Sequence, residues 1–177
     1  DGRLPKVLIP VHHCGQSCDM KAIRRLADEY GFRIIEDAAH AIGAFYDGAP
    51  VGTCTYSDIT VFSFHPVKII TTGEGGLAVT NDSALAEKMR RFRSHGITSD
   101  RSVMEARPEN EIWNYQQMAL GFNYRMTDIH AALGLSQMSR LTEFVDARRR
   151  IAVRYDAALA DLPITLPWQM PESNSSY

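Results

Sequence analysis

Val7-Leu8-Ile9-Pro10-Val11-His12, then Asp19 through Gly31, then Phe32-Arg33-Ile34-Ile35-Glu36-Asp37 set the architecture of this chain. The first apolar run gives way to His12-His13-Cys14-Gly15-Gln16-Ser17, as a buried parallel strand does where it enters a loop. Asp19 can accept hydrogen bonds from the free amides of a helix start. Ile23, Leu26 and Ala27 recur at one-turn spacing, and Gly31 supplies the left-handed residue just past the end. The second apolar run finishes on two carboxylates, Glu36 and Asp37. Strand, helix and strand in this order require a right-handed crossover between parallel strands. The expectation is an α/β protein with a central, mostly parallel sheet flanked by helices.

Beyond Asp37 the pattern continues. Ala38 to Ala44 reads as a short helical segment, and Asp47-Gly48 as the turn of a hairpin-like loop. Asp58-Ile59-Thr60-Val61-Phe62-Ser63-Phe64 is β-branched and aromatic, a third strand, and Pro66 ends its pairing. Gly75-Gly76-Leu77-Ala78-Val79-Thr80 gives a fourth strand. Asn81 or Asp82 then caps a helix carrying Leu85, Met89 and Phe92, and Ser99 to Gln117 is polar and irregular. A long helical tract is expected from Thr127 to about Leu162, broken near Leu141-Thr142. Pro163, Pro167 and Pro171 end it, and the Ser-Asn-Ser-Ser tail predicts no element.

Composition agrees with that architecture. The 177 residues are 45% hydrophobic and 23% charged, enough for one packed domain and unlike disordered or collagen-like chains. Lys plus Arg total 19 against 21 for Asp plus Glu, a net charge of −2, so the charge balance points to neither nucleic acid nor an anionic membrane. Apolar runs such as Val7–Val11 fall far short of the roughly 20 residues of a membrane-spanning helix. The sequence opens without a basic, apolar leader, and a cytoplasmic location is the expectation. Cys14, Cys18 and Cys54 are an odd set, unlike a secreted disulfide scaffold.

Chemistry concentrates on Asp37 and Lys68, each just past the carboxyl end of an expected strand, the edge where open parallel sheets bind ligands. A loop lysine is ordinarily a solvated charge, and an aspartate after a strand ordinarily caps the next turn. The surroundings argue for more. Ser63-Phe64-His65-Pro66-Val67-Lys68 and the following Ile69-Ile70-Thr71-Thr72 place apolar and hydroxyl groups around the amine, a setting that suits a nucleophile. A carboxylate ending a buried strand needs a hydrogen-bonding or cationic partner. An acid and a lysine facing one another match the arrangement that holds pyridoxal phosphate, the acid at the pyridinium nitrogen and the lysine at the aldehyde carbon. His12, His13, Cys14 and Cys18 lack the second well-spaced pair that a zinc site uses. The Gly73-Glu74-Gly75-Gly76 stretch is too short for a nucleotide-binding fingerprint and suits a tight turn beside a ligand. Arg148-Arg149-Arg150 and the Lys88 to Arg93 cluster read as solvated helix faces.

Three stretches in order resemble the DegT/DnrJ/EryC1/StrS family of sugar aminotransferases: Glu36-Asp37-Ala38-Ala39-His40-Ala41, Ser63 to Lys68 with Thr71-Thr72-Gly73-Glu74-Gly75-Gly76, and Gly121-Phe122-Asn123-Tyr124-Arg125-Met126-Thr127-Asp128. The resemblance spans nearly the whole chain. Within the family, Arg93-Ser94-His95-Gly96-Ile97 and Ala132-Leu133-Gly134-Leu135-Ser136-Gln137 are most similar to the transaminase branch of pseudaminic acid biosynthesis. The resemblance implies the aspartate-aminotransferase-like fold, pyridoxal phosphate (PLP) fold type I. Residues 1–162 would belong to the cofactor-binding large domain with its connecting helix, and residues 163–177 would lead into a truncated C-terminal small domain. The fold is thus expected to be incomplete at both ends.

The same resemblance assigns roles. Lys68 would carry pyridoxal 5′-phosphate as a covalent aldimine and shuttle the proton of the amino acid's α-carbon. Asp37 would pair with the pyridine nitrogen, His40 would lie on the ring's hydroxyl side, and Ser63 would bind the phosphate. Asn123 would reach the phosphate of the neighbouring subunit in a homodimer, and no metal enters the scheme. The implied reaction moves an amino group, with L-glutamate as expected donor, to C4 of a UDP-4-keto-6-deoxy-N-acetylhexosamine. Two alternatives remain open: the same chemistry on another nucleotide keto sugar, and a truncated non-catalytic homologue. Family relatives that dehydrate their sugar carry histidine in place of the lysine, so Lys68 argues against that chemistry.

Overall fold

The computed structural model describes residues 4–106, 108, 110 and 114–177. In chain order the elements are β1 (Val7–Leu8), α1 (Met20–Tyr30), β2 (Arg33–Asp37), β3 (Phe45–Tyr46), β4 (Ala49–Pro50), β5 (Ile59–Ser63), β6 (Gly76–Val79), α2 (Ser83–Arg93), β7 (Ile97–Thr98), β8 (Gln116–Gln117), α3 (Asp128–Met138), α4 (Leu141–Leu159) and β9 (Ser173–Asn174). They form two compact units, residues 1–81 with 128–177, and residues 82–127.

The first unit is built on a four-stranded sheet of order β1-β2-β5-β6. β1, β2 and β5 run parallel, and β6 returns antiparallel to β5. The expected first strand is shorter than its apolar run. Pro10 has no amide to donate, so regular pairing stops after Leu8 and resumes only as a single bridge between Val11 and Asp37.

α1 begins where expected: the Asp19 side chain accepts the Ala22 amide, and Gly31 ends the helix at φ 74°. Its inward stripe is Met20, Ile23 and Ala27, packed with Phe32, Ile34 and Tyr46. Leu26, expected on that stripe, is 47% exposed, because steps of about 100° per residue carry it well off the line joining Met20, Ile23 and Ala27.

Residues 38–44 form successive turns rather than the expected helical segment, closed by Ala41 N–H to Ala38 C=O (2.9 Å) and Ala44 N–H to Ala41 C=O (3.0 Å). The hairpin at Asp47-Gly48 is present, with both residues at positive φ (51° and 75°) joining β3 to β4. The tail was expected to lack structure, yet β9 pairs antiparallel with β3. The long helical tract breaks between Met138 and Leu141, close to the expected site. On α3, Gly134 passes so near Thr72 that a Cβ there would lie 2.7 Å from the threonine methyl. Arg148 and Arg149 are not merely solvated: their guanidinium groups donate to the carbonyls of Tyr177 (2.6 Å) and Ser175 (3.0 Å).

In the second unit Asp82 caps α2 through the amides of Ala84 and Leu85. Part of the stretch expected to be irregular, Gln116–Gln117, pairs with Ile97–Thr98, while residues 107, 109 and 111–113 of that stretch lie outside the described residues. Gly96, at φ 69°, sits where a Cβ would fall 1.8 Å from the Ala119 carbonyl oxygen, so the crossing admits only glycine. Among the described residues, no helix is long and apolar enough to cross a membrane.

Candidate functional site

Parallel β2 and β5 point their carboxyl ends the same way, and the register Asp37 to Val61 brings Asp37 and Ser63 to one sheet edge. Asp37 is stitched in from both sides. Its amide donates to Pro10 C=O (2.9 Å), its carbonyl accepts from His12 N–H (3.0 Å), and the next amide, Ala38, donates to Val61 C=O (2.8 Å). The half-buried side chain uses Oδ1 to accept the Ala39 amide at 3.0 Å, the turn-capping role expected of it. Among the described residues the other carboxylate oxygen has no hydrogen-bond partner.

Past Ser63 the chain doubles back in a turn that presents Lys68. Phe64 anchors it: its amide donates to Gly75 C=O (2.9 Å), and its carbonyl accepts from the Thr72 amide (3.0 Å) and the Thr71 hydroxyl (2.9 Å). Ile69 and Ile70 are buried, which fixes the turn from below, and Lys68 N–H closes it on His65 C=O at 3.0 Å. Lys68 itself is half-buried, and among the described residues its amine meets no hydrogen-bond acceptor and no carboxylate. Gly73 (φ 83°) makes the tight turn expected of the glycine stretch.

His40 feels the charges of both groups. Burial depresses its pKa below the ordinary 6.5, the positive charges of Lys68 and His13 depress it further, and the Asp37 carboxylate acts against them. The imidazole thus lies in the field of both the acid and the amine. The His13 ring stands 5.8 Å from that of His40, centroid to centroid. Ser63 is half-buried at the end of β5, its hydroxyl accepting weakly from the His65 amide at 3.4 Å. Asn123 belongs to the second unit, exposed, with its backbone bridged to Ser94.

His12 uses both ring nitrogens on protein partners: Nε2 lies 2.7 Å from Glu36 Oε2, and Nδ1 accepts the Cys18 amide at 3.2 Å. Cys54 sits on a different partner set, 3.3 Å from Thr60 Oγ1.

Sequence reasoning missed two neighbours of the site. His13 was legible in principle, since the loop after β1 must open on the same edge as Asp37. The tail was not. Ser176 Oγ donates to His40 C=O (3.0 Å) and Ser175 Oγ to Cys14 C=O (3.1 Å), contacts between residues too far apart in the chain for any local pattern to signal them.

Residues 3–177 match the sequence profile of the DegT/DnrJ/EryC1/StrS aminotransferase family. Among solved structures, the chain is similar to Helicobacter pylori PseC, an aminotransferase involved in the biosynthesis of pseudaminic acid, at 34% identity and TM-score 0.77 over 88% of this chain and 38% of that one. It is also similar to the aminotransferase TlmJ of Streptoalloteichus hindustanus, at 33% identity and TM-score 0.85 over 97% and 44%. The putative sugar aminotransferase Spr1654 of Streptococcus pneumoniae, in its PMP form, matches at 30% identity and TM-score 0.84 over 97% and 47%. The chain thus spans less than half the length of each, and the shared architecture is PLP fold type I. A profile match across nearly every residue, together with this likeness of fold, settles kinship: the chain belongs to the DegT/DnrJ/EryC1/StrS aminotransferase family.

Proposed function

We propose that this chain is part of a PLP-dependent sugar aminotransferase, with residues 1–162 belonging to its cofactor-binding large domain and 163–177 leading into a small domain. The observation that carries the reading is that, among the described residues, the Lys68 amine meets no hydrogen-bond acceptor and follows the same sheet edge as the open oxygen of Asp37, with His40 in the field of both. That donor set fits the cofactor: an amine for its aldehyde, an acid for its ring nitrogen, and the Ser63 hydroxyl on the same edge for its phosphate. When bound, pyridoxal phosphate supplies the electron sink that lets the amino acid lose its α-proton. Lys68 holds the cofactor and, once released, carries that proton as base and then as acid. Asp37 keeps a proton on the ring nitrogen. His40, its pKa depressed, stays neutral at pH 7 and would stand on the hydroxyl side of the ring.

Asn123 completes the phosphate site of a second copy, so the working unit is a homodimer. Apolar side chains left exposed on α3, Ile129 (82%) and Leu135 (75%), support a covering surface there. For the substrate we infer a UDP-4-keto-6-deoxy-N-acetylhexosamine aminated at C4, with L-glutamate as donor. The support is the likeness to PseC and the Arg93-Ser94-His95-Gly96-Ile97 stretch.

Two measurements on the full-length protein test this. Added pyridoxal phosphate should give the visible absorbance of a lysine adduct that Lys68→Ala abolishes; no adduct in the unmutated protein overturns the cofactor assignment. Incubation with glutamate and candidate UDP-keto sugars should yield the 4-amino sugar, and turnover only on a different keto sugar overturns the substrate assignment.

A further inference from the structure

The most deeply buried titratable cluster lies behind the site, in none of the roles above. His12 is 0% exposed and Glu36 5%, and their side chains meet at 2.7 Å. Glu36 also accepts from the Ser57 hydroxyl and from Thr60 Oγ1 (3.1 Å), so its lone pairs are well supplied. Strand alternation turns Glu36 to the face opposite Asp37. His12 nevertheless holds both residues: its ring grips the Glu36 carboxylate, and its main-chain amide donates to the Asp37 carbonyl at 3.0 Å.

This clamp sits where the ordinary ladder fails. Pro10 interrupts β1, regular pairing ends at Leu8, and a single bridge from Val11 is all that remains beside Asp37. A buried, fully hydrogen-bonded pair constrains direction in a way that apolar packing does not, whereas for stability alone apolar residues of similar volume often do as well.

We propose that His12 and Glu36 are positioning residues for Asp37, fixing the end of β2 so that the Asp37 carboxylate is aimed at the cofactor's ring nitrogen. The inference rests on the reading of Asp37 given above.

The experiment uses the full-length protein loaded with pyridoxal phosphate carrying 15N in the ring, and reads the nitrogen's chemical shift and the rate of cofactor loss on dialysis. Glu36→Gln keeps the shape and removes the charge; Thr60→Val removes one donor to Glu36 and keeps the shape, a milder change should the first variant not fold. Both should move the 15N signal toward the unprotonated form. Glu36→Gln should speed cofactor loss about tenfold, the lower end of what supporting partners command at metal sites. Phe32→Leu, at the opposite end of β2, should lower thermal stability and leave both readings unchanged. Unaltered 15N shift and retention in Glu36→Gln and Thr60→Val overturn the positioning role. Absence of any Lys68-dependent adduct in the unmutated protein instead overturns the reading on which it rests.

Discussion

His40 is a probe that the protein carries inside its own candidate site. Burial and the neighbouring cations Lys68 and His13 lower its pKa, while Asp37 raises it. Removing a cation makes the imidazolium easier to form, and removing an anion makes it harder. In the cofactor-free protein, Lys68→Met should therefore shift the His40 titration midpoint up and Asp37→Asn should shift it down, both read by proton NMR of the imidazole. A midpoint that ignores both substitutions would separate the groups that the site requires to be together. The loop beside His40 makes a second demand on one residue. Gly15 adopts φ 83°, and a Cβ there would lie 2.6 Å from the Tyr177 amide and 2.7 Å from Ser176 Oγ. Gly15→Ala should cost about 1–3 kcal/mol, the usual scale of enforced backbone strain, measured as a lower urea midpoint.

Among the elements, α1 shows how a cap can reach beyond its own helix. Asp19 accepts the Ala22 amide at 3.0 Å and the Tyr46 hydroxyl at 2.9 Å, tying the helix start to β3. Loss of such a cap costs about 1 kcal/mol. Asp19→Ala should therefore lower stability by about that amount, and Asp19→Asn, which keeps the acceptor, should recover most of it in the same denaturation assay. This element was legible in the sequence because its signals are local: Asp19 before the helix, Gly31 after it, apolar residues one turn apart. β2, β5 and β6 were legible for the same reason, and so were Asp37 and Lys68, since each follows an apolar run. What was not legible depends on partners far along the chain. Residues 38–44 carry helix-compatible alanines, but Ala38 is drawn to the Val61 carbonyl and the segment resolves into turns. The Ser173–Asn174 pairing answers to β3, more than a hundred positions earlier. Pro10 shortens β1, although the hydrophobic run around it suggests a longer strand.

For the whole molecule, the His12–Glu36 pair sets a pH window of stability. Burial alone would raise the Glu36 pKa, but hydrogen bonds from His12 and Ser57 and the His12 charge outweigh it, so the folded value falls below 4.5. Burial likewise opposes a charged His12, but bonding to the Cys18 side chain and to Glu36, with the Glu36 charge, lifts its folded value above 6.5. The Cys18 amide, aimed at Nδ1, needs that nitrogen's lone pair and restrains the rise. A depressed acid contributes stability above its unfolded pKa and loses it as pH falls through the folded one; a raised base contributes below its unfolded pKa and loses it as pH rises. Both contributions are complete only between pH 4.5 and 6.5. Removing one partner of a buried pair typically costs about 3–5 kcal/mol. Glu36→Ala should lose about that much inside the window and progressively less on either side of it. Urea midpoints measured from acid to alkaline pH should therefore peak within the window for the parent chain and flatten for the variant. Because the pair is shielded from solvent, molar salt should leave the difference between the two chains nearly unchanged, whereas a contribution from exposed ion pairs such as Lys21–Asp47 would fade.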